Sequence, residues 1–175
     1  MFKSLFGGGK KKAEQANVGG NKELLTLTMA LDVEPEAAFT AFIDDLGAWW
    51  PKSYTFSGDN LQQIGIEARY QGACFEERTG GERIVWGTVL AFDRPNHIVI
   101  AWQISPDRQV VDSEAVSSRL DVRFTPREGG GSNLLIVHRD FPRHGDGWEA
   151  YKTQMAGDKG WPLLADAFRQ HLTRS

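Results

Sequence analysis

Six strand-like segments, most of them joined by connections of only a few residues, constrain this chain more than any other feature. They lie near 62–70, 73–79, 83–92, 97–105, 116–126 and 132–140. Gln71-Gly72, Thr79-Gly80-Gly81, Arg94-Pro95-Asn96 and Glu128-Gly129-Gly130-Gly131 carry turn chemistry between them. A parallel crossover needs a dozen or more residues, so neighbours joined this way pair antiparallel. Ile98, Ile100, Trp102 and Ile104 fall on one side of their segment, with Val99, Ala101 and Gln103 on the other. Leu120, Val122 and Phe124 alternate with Arg119, Asp121 and Arg123, which gives the sheet one wet face.

Helical patterns flank this series. Ordered structure is expected from about Leu24, where Leu25, Leu27 and Met29 alternate with Thr26, Thr28 and Ala30 as a first strand. Pro35 suits the first helical position and Gly47 the C-terminal stop, with Phe39, Phe42, Ile43 and Leu46 on one face between them. Asp146 and Glu149 have the spacing of a capping box. Trp148, Tyr151, Lys152 and Met155 then form a stripe that Gly157 and Gly160 interrupt. Pro162 opens a second segment, with Trp161, Leu164, Ala165, Phe168 and Leu172 on one face.

Charge separates a tail from a body. Residues 1–22 hold five lysines against Glu14, whereas the remainder holds 15 basic and 22 acidic residues. The expected organisation is a disordered basic tail over 1–22 and one domain over 23–175. An acidic body argues against a nucleic-acid surface. No stretch approaches the ~20 apolar residues of a membrane span. The lone Cys74 suits a reducing cytosol, and hence a cytoplasmic protein, and a strand cysteine reads as a small buried hydrophobe.

No constellation of nucleophile and base is visible, and Gly7-Gly8-Gly9-Lys10-Lys11-Lys12 lacks the spacing of a phosphate-binding loop. His138, Asp140, His144 and Asp146 invite a metal reading, but a zinc site needs three or four ligands converging at ~2 Å. His138 shares strand parity with Leu134 and Ile136, which places it toward the interior, bonded to a neighbour. No catalytic residue, metal or cofactor is therefore assigned.

The order of several fragments resembles a known family. These are Trp49-Trp50-Pro51, Trp86-Gly87-Thr88-Val89, Pro95, Ile98 through Trp102, the strand ending in His138, Phe141-Pro142-Arg143-His144-Gly145 and Gly160-Trp161-Pro162. Together they resemble the START/SRPBCC superfamily, and within it the bacterial relatives of the activator of the ninety-kilodalton heat-shock chaperone ATPase. The resemblance covers about 24–172. Gln71-Gly72-Ala73 departs from it, since many relatives have two glycines there; a turn should change, not the fold. The implied class is α+β: a helix-grip fold whose curved antiparallel sheet of six to seven strands wraps a long C-terminal helix.

Such a sheet leaves space that large side chains must fill or line, and in this superfamily that space commonly holds an apolar ligand. The candidate walls are Trp49, Trp50, Tyr54, Trp86, Trp102, Trp148, Tyr151, Met155, Trp161 and Phe168. Glu67, Arg69, Glu76, Arg123 and His138 are the candidate polar groups, Glu67 and Glu76 because the corresponding strands of the family border the cavity. The expected function is non-enzymatic binding of a small apolar or aromatic molecule. A protein-interaction role like that of the chaperone activators is the alternative, and a cyclase or hydrolase the third. Oligomeric state is not legible.

Overall fold

Leu25, Leu27, Met29 and Leu31 are all buried, while Thr28 between them faces solvent. This alternation makes Leu25–Leu31 the second strand, β2, in the computed structural model, which describes residues 15–175. A short strand, β1 (Asn17–Gly20), precedes it and pairs with it antiparallel. β1 lies upstream of the expected start at Leu24. It is exposed along its length and has no apolar alternation to announce it. The turn between the two is set by the Asn21 side chain, which accepts from the N–H groups of Glu23 and Leu24. The expected basic tail falls largely on residues outside those described.

Pro35 opens α1 (Pro35–Asp44), and Phe39, Phe42 and Ile43 are buried on its inner face. Gly47 is not the stop that its residue type suggested. The helix breaks at Asp45 and resumes as α2 (Leu46–Trp49), one turn that contains Gly47. Pro51 then prevents further winding. The path α1–α2 carries the chain across to the far edge of the sheet, where β3 (Leu61–Ile66) begins.

From there β4 (Ala73–Arg78), β5 (Arg83–Asp93), β6 (His97–Trp102), β7 (Ser118–Pro126) and β8 (Ser132–Arg139) return strand by strand. The strand order is β1-β2-β8-β7-β6-β5-β4-β3, with every pair antiparallel. The sheet thus has eight strands, slightly more than expected, because β1 extends its edge. β6 ends at Trp102 and β7 starts at Ser118, each a little shorter than its apolar pattern. The register slips between β4 and β5 near Trp86, where Phe75 faces Val85 and Cys74 faces Gly87. This irregularity leaves Trp86 and Gly87 both buried side by side.

α3 (Trp148–Ala156) and α4 (Trp161–Arg174) close the chain. The expected capping box is absent: Gly147, not Asp146, is the N-cap, at φ 88°. α4 lays Trp161, Leu164, Ala165 and Phe168 against the sheet and α1. Phe168 meets Phe42 at 5.3 Å, Trp49 at 5.2 Å and Phe124 at 6.0 Å between ring centroids. This aromatic knot fills one end of the interior. Burial of each such ring stabilises the fold by about 1.5–3 kcal/mol.

Candidate functional site

The polar residues inside the sheet satisfy one another. His138, on β8, and Ser118, on β7, are wholly buried. Trp161 Nε1 donates to His138 Nδ1 at 3.0 Å, and His138 Nε2 lies 2.7 Å from Ser118 Oγ. Indole can only donate, so the neutral imidazole carries its proton on Nε2 and donates it to Ser118. Ser118 Oγ also contacts His144 Nε2 at 2.8 Å, and its hydroxyl hydrogen is free to point there. Desolvation holds His138 well below the ordinary histidine range, with repulsion from His144 adding to it. Partial burial lowers His144 in the same direction. The row acts as a neutral bracket that ties β7, β8 and α4 together.

Open space lies beside this bracket, where α3 gives way to α4. A pocket of about 410 Å³, partly open to solvent, is enclosed by three segments. The stretch after α2 contributes Trp50, Ser53, Tyr54, Thr55 and Phe56. The sheet side supplies Trp102 and Ile104, with Arg108 from the following hairpin. Met155, Lys159, Gly160 and Leu164 come from the helix junction. Gly160 permits that junction: a Cβ there would sit 2.2 Å from the Met155 carbonyl oxygen.

The walls are held from behind. Trp102 Nε1 donates to the Tyr151 hydroxyl at 2.8 Å, which in turn donates to the Ile104 carbonyl at 2.9 Å. Burial raises the Tyr151 phenol above its ordinary range, so it stays protonated and can make that donation. Glu76 fixes the opposite lip, accepting from Phe56 N at 3.1 Å, Ser57 N at 2.9 Å and Ser57 Oγ at 2.8 Å. At the rim, the Tyr54 hydroxyl donates to the Lys159 carbonyl at 2.8 Å and joins the two sides.

The expected wall residues divide into two groups. Trp50, Tyr54, Trp102 and Met155 line the pocket. Trp49, Trp86, Trp161 and Phe168 are buried in the core, Tyr151 braces the wall, and Trp148 is half-buried at the start of α3. Trp49 Nε1 donates to the Phe42 carbonyl, whereas Trp86 Nε1 is buried without a partner among the described residues.

The polar expectations need more correction. Glu67 lies past the end of β3 on the outside, bonded to Ala73 N, Arg69 and Arg83. The Ala73 N–H, then Arg83, hold its carboxyl below the usual range. Arg69 is its exposed partner. Arg123 sits on the wet face beside Asp121, as the alternation of its strand requires. Glu76 and His138 are buried, but their bonds go to the chain and neither lines the pocket. The lining residues missed from sequence include Phe56, Ile104, Arg108, Lys159 and Leu164. Ile104 and Leu164 were legible by parity as inward; the others sit in loops, where no period exists.

Among the described residues no group of three or more His, Cys, Asp or Glu could hold a metal ion. Asp140 instead pairs with Arg139. Cys74 is fully buried, and burial pushes its thiol up, which keeps it unreactive. No helix among the described residues is long and apolar enough to cross a membrane.

An eight-stranded antiparallel sheet closed by a long C-terminal helix, with a pocket at the helix break, defines a helix-grip protein of the START/SRPBCC type. Residues 32–173 match the model of the Activator of Hsp90 ATPase homolog 1-like protein family, and the chain belongs to that family. No curated protein sequence matches it. Among solved structures it is similar to an anthrahydroquino-γ-pyrone synthase, at 25% identity and TM-score 0.57, over 85% of this chain and 99% of that one. A self-sacrificing resistance protein, CalC from Micromonospora echinospora, is similar at 20% identity and TM-score 0.62, over 87% and 96%. A Nitrosomonas europaea protein has TM-score 0.64 at 12% identity, over 89% and 97%.

Proposed function

We propose that this chain binds a small, mainly apolar molecule with an aromatic part in the pocket at the α3–α4 junction, without transforming it. The observation that carries the reading is the pocket itself: about 410 Å³, walled by Trp50, Phe56, Trp102, Ile104, Met155 and Leu164. Concave space with apolar walls and a few polar groups is the usual form of a small-molecule site. The buried acid and base candidates do not favour catalysis. Glu76, Ser118 and His138 bond within the chain, and no carboxylate or imidazole lines the pocket. With an unpaired, buried Cys74, the reading sets this binder in the cytoplasm.

The similarity to a synthase at 25% identity supports a second reading, turnover in the same pocket. It would have to work without a carboxylate or imidazole in the lining. A protein-docking role, suggested by the family's description, draws less support. The large exposed apolar side chains Val18, Tyr54, Tyr70, Val85 and Val116 come from five separate segments of the chain: β1, the stretch after α2, the β3–β4 turn, β5 and the approach to β7.

Native mass spectrometry of protein purified from its own host tests the reading. A retained small molecule is expected, and Ile104→Trp, which narrows the pocket, should lower its occupancy while keeping the wild-type far-ultraviolet circular dichroism. Protein that is always empty, and silent toward apolar aromatic probes in calorimetry, would overturn it. Chemical change of the retained molecule on incubation would favour turnover.

A further inference from the structure

The charge around the pocket is one-sided. Arg108 and Lys159 line it, and no aspartate or glutamate does. Among the described residues eight other arginines pair with carboxylates, among them Arg69 and Arg83 with Glu67, Arg78 with Glu82 and Arg94 with Asp44, whereas Arg119, Arg143 and Arg174 do not. Arg108 is the arginine without a carboxylate that lines the pocket. Its guanidinium lies 4.9 Å from the Tyr151 ring centroid, and Nη1 is 3.6 Å from Met155 Sδ. Among the described residues neither Arg108 nor Lys159 is in an ion pair. Asp107 and Asp158 adjoin them in sequence, but neither lines the pocket.

Backbone geometry puts both cations there. Arg108 has φ 60°, a left-handed conformation unusual for a residue with a Cβ. It sits at the tip of a tight hairpin, its N–H bonded to the Ser105 carbonyl and Ile104 bridged to Val110. Lys159 is anchored through its carbonyl by the Tyr54 hydroxyl, which leaves the ammonium free at the rim. The Met155 sulfur is a weak acceptor, so a carboxylate in the pocket is the stronger partner for this guanidinium.

Resting on the ligand-binding reading above, we infer that the pocket selects anionic ligands. The bound molecule pairs a flat apolar body, set against Trp50 and Trp102, with a carboxylate or phenolate that Arg108 takes and Lys159 assists. The second charge works at longer range, because its side chain is exposed to water.

Isothermal titration with three probes that share one body separates the parts of this inference: 2-naphthoate, 2-naphthamide and 2-naphthylmethylammonium. A charge-assisted bidentate contact in place of a neutral one is worth about tenfold in affinity. The expected order is naphthoate about tenfold tighter than the amide, with the ammonium weakest. R108Q should erase most of that preference by weakening naphthoate far more than the amide, R108K should restore part of it, and K159Q should reduce it less. Added salt should narrow the gap between naphthoate and amide. Equal affinity for naphthoate and amide in the wild type would overturn the charge selectivity while leaving the binding reading intact. Equal loss of all three probes in R108Q would reassign Arg108 to the pocket's shape and overturn it too. If none of the three binds, the ligand-binding reading falls first and the inference with it.

Discussion

His138 gives the sharpest quantitative expectation. It is wholly buried, accepts from Trp161, faces Ser118, and has no carboxylate partner among the described residues. Its pKa is held well below the ordinary value, by desolvation first and by His144 second. In the unfolded chain the same imidazole takes a proton near pH ~6.5. The sign follows from proton counts. Above ~6.5 both states are neutral and the full stability is present; below it the unfolded state binds one more proton, so stability falls. The slope is about 1.4 kcal/mol per pH unit, and it lasts until the folded imidazole itself protonates. Near pH ~5 the loss through His138 alone is about 2 kcal/mol. His144, also lowered, adds in the same direction, and less because it is only half-buried.

The perturbation is H138Q. Glutamine keeps an acceptor and a donor in one side chain but does not titrate. Imperfect reach should cost about 1–3 kcal/mol at neutral pH. The telling quantity is the change with pH, not that offset. Urea unfolding followed by tryptophan emission, at several pH values from about 8 to about 5, gives both curves. Carboxylates titrate alike in the two proteins and cancel in the difference. The wild type should lose about 2 kcal/mol more than H138Q across that span. Parallel curves would refute the claim that a buried, neutral His138 is part of the fold's pH dependence.

Other substitutions test the pocket walls. Trp102→Ala, at a residue 3% exposed, should cost about 3–5 kcal/mol in chemical denaturation and leave the Tyr151 hydroxyl without its indole donor. Gly160→Ala drives a Cβ toward the Met155 carbonyl and should destabilise by about 1–3 kcal/mol, with weakened probe binding from a shifted junction. Glu76→Ala strips the acceptor from three donors at the Phe56 lip and should cost about 3 kcal/mol or more. Glu67→Gln, at a half-buried site on the outside of the sheet, should lower the denaturation midpoint far less than Glu76→Ala, which separates the two glutamates by a single measurement.

Periodicity carried most of the fold. Ile98, Ile100 and Trp102 turn inward as their alternation requires, and Phe39, Phe42 and Ile43 bury one helix face. What failed were single-residue signals. Gly47 reads as a stop yet lies inside a helical turn, and Asp146 reads as a cap while Gly147 takes that place. Both are local preferences of about 1 kcal/mol or less, which tertiary packing readily overrides. β1 was illegible for a different reason: with every residue exposed, backbone pairing alone makes it a strand. At the turn where the family often has two glycines, Gln71 adopts φ 59°, and Gly72 is the residue with no room for a side chain.

The site was harder to read, because fill and lining use the same residue types. Tryptophan at an inward position can do either, and only the helix break decides which. Up to the α3–α4 junction the interior is packed: Trp49, Phe168, Phe42 and Phe124 interlock, and Trp161 covers the His138–Ser118 bracket. At Gly157–Gly160 the helical axis is interrupted, the next ring along is missing, and Trp50 and Trp102 acquire a free side. The polar groups follow the same division. Those on strands, Glu76 and His138, are satisfied by the packed part and hold its shape. Those that face the open space, Arg108 and Lys159, come from loops whose direction no repeat in the sequence encodes. On the proposed ligand-binding reading, altering two loop cations changes what such a chain binds, while the histidine bracket and the aromatic knot that secure the fold stay untouched.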